Sequence, residues 1–227
     1  MDQFEQIVIL ISSDTEWKCV RRITPLAEVS KSPFGEMIST ELSNKKVLFF
    51  QSGWGKVTAA ATTQYVIDHY HPSLLINLGT CGGFLGCVEV GEVILVRETI
   101  IYDIIEQMSD PQEAIDFYTT SIDLAWLPNN AFAGAVRDKI VSADRDVLSA
   151  EIPQLIERFD ARVGDWESGA IAWVAGRMGQ RLLILRGVSD LVGEGGGEVY
   201  ENMERYEIRT TSVMEKLIGM VEKFLIN

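Results

Sequence analysis

The sequence predicts an α/β fold in which helices pack on a mostly parallel sheet. Short apolar runs recur along the chain, helix-forming stretches lie between some of them, and no linker, repeat or low-complexity segment interrupts the 227 residues. That length suits one undivided α/β domain, so no domain boundary is expected between residues 1 and 227.

The apolar runs are Ile7–Ile11, Val47–Phe50, Leu74–Leu78, Val93–Val96 and Leu182–Arg186. They are nearly continuous and rich in Ile, Leu, Val and Phe, as strands buried on both faces are. Thr58–Tyr70 has high helix propensity, and Pro72 should end that helix. Glu167–Met178 reads as a second helix before the Leu182 strand. Met203, Tyr206, Thr210, Met214, Leu217, Val221, Phe224 and Leu225 recur at helical spacing and mark one apolar face of a C-terminal helix that closes the core. Gly193, Gly195, Gly196 and Gly197 read as a flexible loop after the Leu182 strand, able to move over a ligand. The segment Thr99–Pro128 is less regular and carries Tyr102, Phe117, Tyr118 and Trp126. It suits a subunit contact or pocket wall, or equally a side extension folded onto its own core.

Composition narrows the function. With 20 Lys+Arg against 33 Asp+Glu the net charge is −13, so the basic footprint of a nucleic-acid binder is absent. Hydrophobic residues make up 47%, enough for a full core and too many for a disordered chain. The run Ile7–Ile11 is too short for a signal peptide or membrane span, so a cytoplasmic protein without a membrane partner is expected. Cys19, Cys81 and Cys87 are odd in number and form no C-x-x-C, which reads as reduced thiols. His69 and His71 stand two residues apart at a helix end and point away from each other, as surface histidines rather than metal ligands.

Candidate chemistry follows the strands, because open parallel sheets bind ligands beyond their carboxyl ends. The stretches there are Ser12-Ser13-Asp14-Thr15-Glu16, Ser52-Gly53-Trp54-Gly55-Lys56, Gly79-Thr80-Cys81-Gly82-Gly83 and Gly187-Val188-Ser189-Asp190. Glycine allows close backbone approach to an oxygen-rich ligand such as a sugar or phosphate; turn glycines without a ligand are the alternative. The dinucleotide fingerprint and the P-loop are both missing. Asp165, Glu167, Asp190 and Glu16 are all able to cap helices. Glu16, Glu167 and Asp190 would also share one rim of a parallel sheet, where separate acids serve acid–base chemistry.

Together, Ser52-Gly53-Trp54-Gly55-Lys56-Val57, Ile76-Asn77-Leu78-Gly79-Thr80-Cys81-Gly82-Gly83, Asp165-Trp166-Glu167-Ser168-Gly169-Ala170-Ile171-Ala172 and Arg186-Gly187-Val188-Ser189-Asp190 resemble the signature of the nucleoside phosphorylase superfamily, in its methylthioadenosine/S-adenosylhomocysteine nucleosidase branch. The resemblance spans nearly the whole chain. It implies one α/β domain, a three-layer sandwich around a twisted mixed, mostly parallel sheet, and usually a homodimer. It implies cleavage of the bond between purine and ribose, with a small purine nucleoside as the partner and no metal or organic cofactor. Carried over by position, Asp190 protonates N7 of the leaving base and Ser189 orients it. Glu167 takes the ribose hydroxyls, Trp166 lies beneath the ribose where methionine is common, and Glu16 positions or activates water. Thr80, Gly82, Asp146 and Val147 fall among the substrate contacts. These roles fit the reaction, which leaves positive charge on the ribose and negative charge on the base.

Some positions depart from the pattern. Asn77 stands where hexameric purine nucleoside phosphorylases carry a phosphate-binding arginine, which favours water as the nucleophile. Asp146 stands where typical nucleosidases stack a phenylalanine on adenine. Tyr102-Asp103 replaces a histidine–aspartate pair, which bears on the 5′ group. The expected activity is hydrolysis of 5′-methylthioadenosine or S-adenosylhomocysteine. The alternatives are a futalosine- or inosine-type nucleosidase, a purine nucleoside phosphorylase, and a non-catalytic nucleoside-binding protein on the same fold.

Overall fold

The structure, a computed structural model, describes residues 4–200 and 202–226; the expected domain, 1–227, also includes residues 1–3, 201 and 227, which lie outside the described residues. The elements are β1 Ile7–Ile11, α1 Asp14–Ile23, β2 Val29–Lys31, β3 Glu36–Leu42, β4 Lys45–Gln51, α2 Gly55–Tyr70, β5 Leu74–Phe84 and β6 Val93–Ile101. There follow α3 Pro111–Tyr118, β7 Thr120–Ser121, β8 Ala135–Ser142, a 3₁₀ turn Ser149–Glu151, α4 Ile152–Phe159, β9 Val163–Asp165, α5 Ser168–Arg177, β10 Leu182–Gly193, β11 Gly196–Gly197 and α6 Met203–Ile226.

Every residue of β1 is buried because the strand lies between β4 and β5, parallel to both, with Ile7 opposite Val47 and Leu74. Its side chains alternate between two cores. Ile7, Ile9 and Ile11 meet Trp17 and Val20 of α1 and Met214 and Leu217 of α6. Val8 and Leu10 face Ala59 and Val66 of α2 and Ile171 and Ala175 of α5. The sheet is thus the middle of three layers. Antiparallel β3 and β2 extend it beyond β4. On the other side β5 pairs with β10, β10 with β6, β6 with β8, β8 with β9, and β9 again with β5, curling this half into a closed ring. A third apolar cluster, with Phe84, Val141 and Phe159, lies beneath α3 and α4. No described helix is long and apolar enough to cross a membrane.

Several expectations need correction. Gly79–Gly83 and Gly187–Asp190 are not turns after strands; β5 and β10 continue through them because each pairs with the other along this length. Gly193 and Gly196–Gly197 form a short hairpin rather than a loose loop. Ser13 caps α1 directly after β1, because Ser13 and Glu16 form a reciprocal capping box. On α6 the buried face starts at Thr210; Met203 is exposed and Tyr206 only partly buried. In the segment Thr99–Pro128, Phe117 and Tyr118 pack on Trp173 of α5, and Trp126 on Phe4 and Phe224. These aromatic residues fold back onto this chain.

β8 was not expected from the sequence. Its Arg137-Asp138-Lys139 interrupts the apolar pattern, and the fold accommodates two of those charges in pairs, Asp138 with Arg162 at 2.5 Å and Lys139 with Glu98 at 3.5 Å.

Candidate active site

A cavity of about 430 Å³ opens where β5, β9, β10 and the N-terminus of α1 converge. Glu16, Thr80, Gly82, Asp146, Val147, Trp166, Glu167, Ser189 and Asp190, the site residues expected from the sequence, all line it. Residues far apart in the chain meet here because β5 and β10 run side by side and α5 starts directly after β9.

Glu16 reaches the cavity as the third residue of α1. Its Oε2 accepts from the Ser13 N–H at 3.1 Å, completing the cap. Its Oε1 accepts from the Thr80 N–H at 2.6 Å and the Thr80 hydroxyl at 2.9 Å. One carboxylate therefore both caps a helix and lines the cleft. Gly79 makes room for it, since a Cβ there would lie 2.9 Å from both Glu16 Oε1 and Arg186 Nη1.

Asp165 and Glu167 divide differently. Asp165 is buried and accepts from the Ser142 hydroxyl at 2.6 Å, Ser168 N–H at 3.2 Å and Arg186 Nε at 2.7 Å. Glu167 makes no cap; its Oε1 accepts from the Gly55 N–H at 2.9 Å. Gly55 sits at φ +77°, a conformation that favours glycine, and a Cβ there would approach Asp144 Oδ1 to 2.8 Å. Lys56 secures the same turn, its N–H on Asp144 Oδ1 at 2.7 Å and its ammonium paired with Asp103. Burial, with Asp165 nearby, pushes the Glu167 carboxyl up to about 8, although Gly55 and Arg186 favour its charged form.

Asp190 lies inside β10, at a register shift against β5, so it is not a helix cap. The Ser189 hydroxyl donates to Asp190 Oδ1 at 2.6 Å. Burial raises the Asp190 carboxyl above the ordinary aspartate range, while the Ser189 hydrogen bond and Arg209 act in the opposite direction.

Arg186 is a functional candidate to which the sequence motifs assign no role. It is fully buried, with Nη2 on Asn77 Oδ1 at 2.6 Å and Nη1 without a hydrogen-bond partner among the described residues. Its place in Arg186-Gly187-Val188-Ser189-Asp190 was the available signal. Asn77 is not at a strand end facing ligand; it is buried within β5, and its amide donates to the Leu10 carbonyl at 3.0 Å. Trp54, Arg145, Tyr200, Met203 and Tyr206 also line the cleft. Met203 and Tyr206 were expected in the core, since their spacing continues the apolar face of α6.

Arg21 and Arg22, just after Glu16 in the sequence, and the two histidines do not line the cleft. Arg21 pairs with Glu36 at 3.9 Å and Arg22 donates to Thr211 at 3.2 Å. His69 stacks on Tyr65, and His71 forms the left-handed cap of α2. Among the described residues, no group of three or more His, Cys, Asp or Glu side chains is placed to hold a metal ion. The cleft offers two carboxyls whose neutral form burial favours, Asp190 and Glu167, beside the Glu16 carboxylate held by the Ser13 and Thr80 N–H groups. That arrangement can protonate a departing group while stabilising a cationic carbon.

Comparison with known proteins agrees with this architecture. A profile of the phosphorylase superfamily matches residues 6–225. The 5′-methylthioadenosine/S-adenosylhomocysteine nucleosidase of Staphylococcus saprophyticus is 30% identical over 193 residues, 79% of this chain and 84% of the relative. The protein of the same description from Bacillus subtilis is 23% identical over 210 residues, 82% of this chain and 86% of the relative. Among solved structures, Arabidopsis thaliana 5′-methylthioadenosine nucleosidase superposes with a TM-score of 0.81 at 20% identity, covering 97% of this chain and 96% of that one. The Neisseria meningitidis nucleosidase in complex with methylthio-immucillin-A gives 0.76 at 22% identity, covering 98% and 99%.

Proposed function

The chain belongs to the phosphorylase superfamily, and from that premise we propose that it is a purine nucleosidase that hydrolyses the N-glycosidic bond of 5′-methylthioadenosine or S-adenosylhomocysteine. The products are adenine and the ribose derivative. The observation that carries this reading is the juxtaposition in one cleft of Asp190, hydrogen-bonded to Ser189, with Glu16 and Glu167.

In this reading Asp190 gives its proton to N7 of the leaving base, and Ser189 holds the carboxyl in the orientation for transfer. As the bond lengthens, positive charge grows on the ribose. Glu167 accepts from the ribose hydroxyls and Glu16 accepts the proton of the attacking water. Trp166 forms the floor beneath the sugar, and Thr80, Gly82 and Val147 complete the contacts. The buried Arg186 sets the potential of the acid cluster from below and offsets part of its mutual repulsion.

Asp146 favours a second reading of the base. It places a carboxylate on the cleft wall, able to accept from the N1–H that the hypoxanthine of a futalosine- or inosine-type substrate carries and adenine lacks.

The assembly in this proposal is a homodimer in the cytoplasm. Val57, Ile105 and Met108 are exposed, and the Lys56–Asp103 ion pair brings their two segments together beside Trp54 at the cleft. The cysteines are free thiols, as a reducing compartment keeps them.

The test incubates the purified protein with methylthioadenosine, S-adenosylhomocysteine and inosine, with and without phosphate, and identifies the released base and sugar. Free adenine with the free ribose derivative is expected. A ribose 1-phosphate product would mean phosphorolysis, and tight binding without product would mean a binding protein.

A further inference from the structure

We propose that Arg209 is a positioning residue that holds the Ser189–Asp190 peptide and, through Glu198, fastens the β10–β11 hairpin beside it. The inference rests on Asp190 as the proton donor. Arg209 Nη1 donates from α6 to the Ser189 carbonyl at 3.1 Å and to Glu198 Oε2 at 2.6 Å. Glu198 follows β11 directly, and its own N–H returns to the Leu191 carbonyl at 3.1 Å. One guanidinium nitrogen thus ties α6, the irregular part of β10 and the end of the hairpin together.

The location explains why a side chain is needed. The pairing of β10 with β5 passes from Val188 to Asp190 and skips Ser189, so the strand ladder does not hold that carbonyl. Without Arg209 the peptide before Asp190 loses its tether to α6. Val199 and Tyr200, which line the cleft just beyond Glu198, lose the same anchor.

The charges around Asp190 give a test that a purely structural tether would fail. Arg209 from α6 and the Ser189 hydroxyl favour the ionised carboxyl. Glu198 beyond the hairpin and Asp146 from the loop after β8 oppose ionisation. The Tyr200 phenol and the Cys81 thiol of β5 also face this carboxyl and feel its charge, and burial raises both groups above their ordinary ranges. Removing the charge of Arg209 therefore raises the Asp190 pKa, and removing that of Glu198 lowers it.

The experiment compares native protein with Arg209→Met, Arg209→Lys and Glu198→Gln, using methylthioadenosine as substrate over a range of pH. Activity falls as Asp190 loses its proton, so the alkaline limb of kcat should move to higher pH in Arg209→Met, return toward native in Arg209→Lys, and move to lower pH in Glu198→Gln. In Arg209→Met, kcat should fall about tenfold or more with KM nearly unchanged. Unmoved limbs, or shifts of the same sign in Arg209→Met and Glu198→Gln, would overturn the proposal. Should Arg209→Met not fold, the downward shift in Glu198→Gln still decides the sign. Titration of the Asp190 carboxyl by ¹³C NMR, its resonance assigned with Asp190→Asn, reads the same opposite shifts without turnover. A native protein inactive on every purine nucleoside would sink the nucleosidase reading, and that titration would then decide the inference by itself.

Discussion

Arg186 and Asp165 form an ion pair of 2.7 Å beneath the cleft, with only 1% and 2% of their side chains exposed. Water screens this pair poorly, and each charge is tolerated because the other is present. Asn77, Ser142 and Ser168 supply additional hydrogen bonds.

This pair predicts a large stability effect. Asp165→Asn takes from the buried guanidinium its ion-pair partner and should cost about 3–5 kcal/mol in denaturant unfolding. Adding Arg186→Met should recover part of that loss, because no unpaired charge remains. An unchanged unfolding midpoint in Asp165→Asn would show that the pair contributes nothing.

For the acid, Asp190→Asn keeps a group that can accept from Ser189 but cannot give up a proton. Turnover of methylthioadenosine should drop ~10²-fold or more while nucleoside binding and folding stay close to native. Near-native turnover would remove Asp190 from the reaction.

Glu16 decides the nucleophile. The Glu16 carboxylate repels a phosphate dianion, and Arg21 and Arg22 are turned to Glu36 and Thr211. Turnover should be the same in phosphate-free buffer and at saturating phosphate, and Glu16→Gln should nearly abolish it. Strict phosphate dependence, with a ribose 1-phosphate product, would overturn hydrolysis and leave the role of Asp190 in place.

Glu167 links the site to pH. Its carboxyl is raised from 4.5 to about 8 in the folded protein, so between those values the folded state binds the extra proton. Its contribution to stability is full below 4.5 and is lost as pH rises toward 8. Urea unfolding across that window should show native stability declining relative to Glu167→Gln; parallel curves would count against the shift. The same substitution should blunt a preference for ribo- over 2′-deoxynucleosides, measured by relative kcat/KM.

Legibility followed the local physics of each segment. The run Ile7–Ile11 was readable as a strand because burial on both faces demands an unbroken apolar stretch. The apolar face of α6 was readable from Thr210 onward, but Met203 and Tyr206 continue its spacing while facing the cleft. β8 was hidden because Arg137-Asp138-Lys139 breaks its apolar pattern, and two of those charges are neutralised by Arg162 and Glu98, partners distant in sequence.

The sequence by itself determined the fold class, through apolar runs buried in strands, and the placing of Glu16, Glu167 and Asp190 at one cleft, through short motifs that accompany those strands. Only the tertiary structure decided how the acids differ. Asp165 is neutralised by Arg186, Glu16 is held by Thr80, and Glu167 and Asp190 are pushed toward their neutral forms by burial. Ionisation depends on desolvation and on charges within a few ångströms, and those neighbours come from strands and helices far apart in the chain.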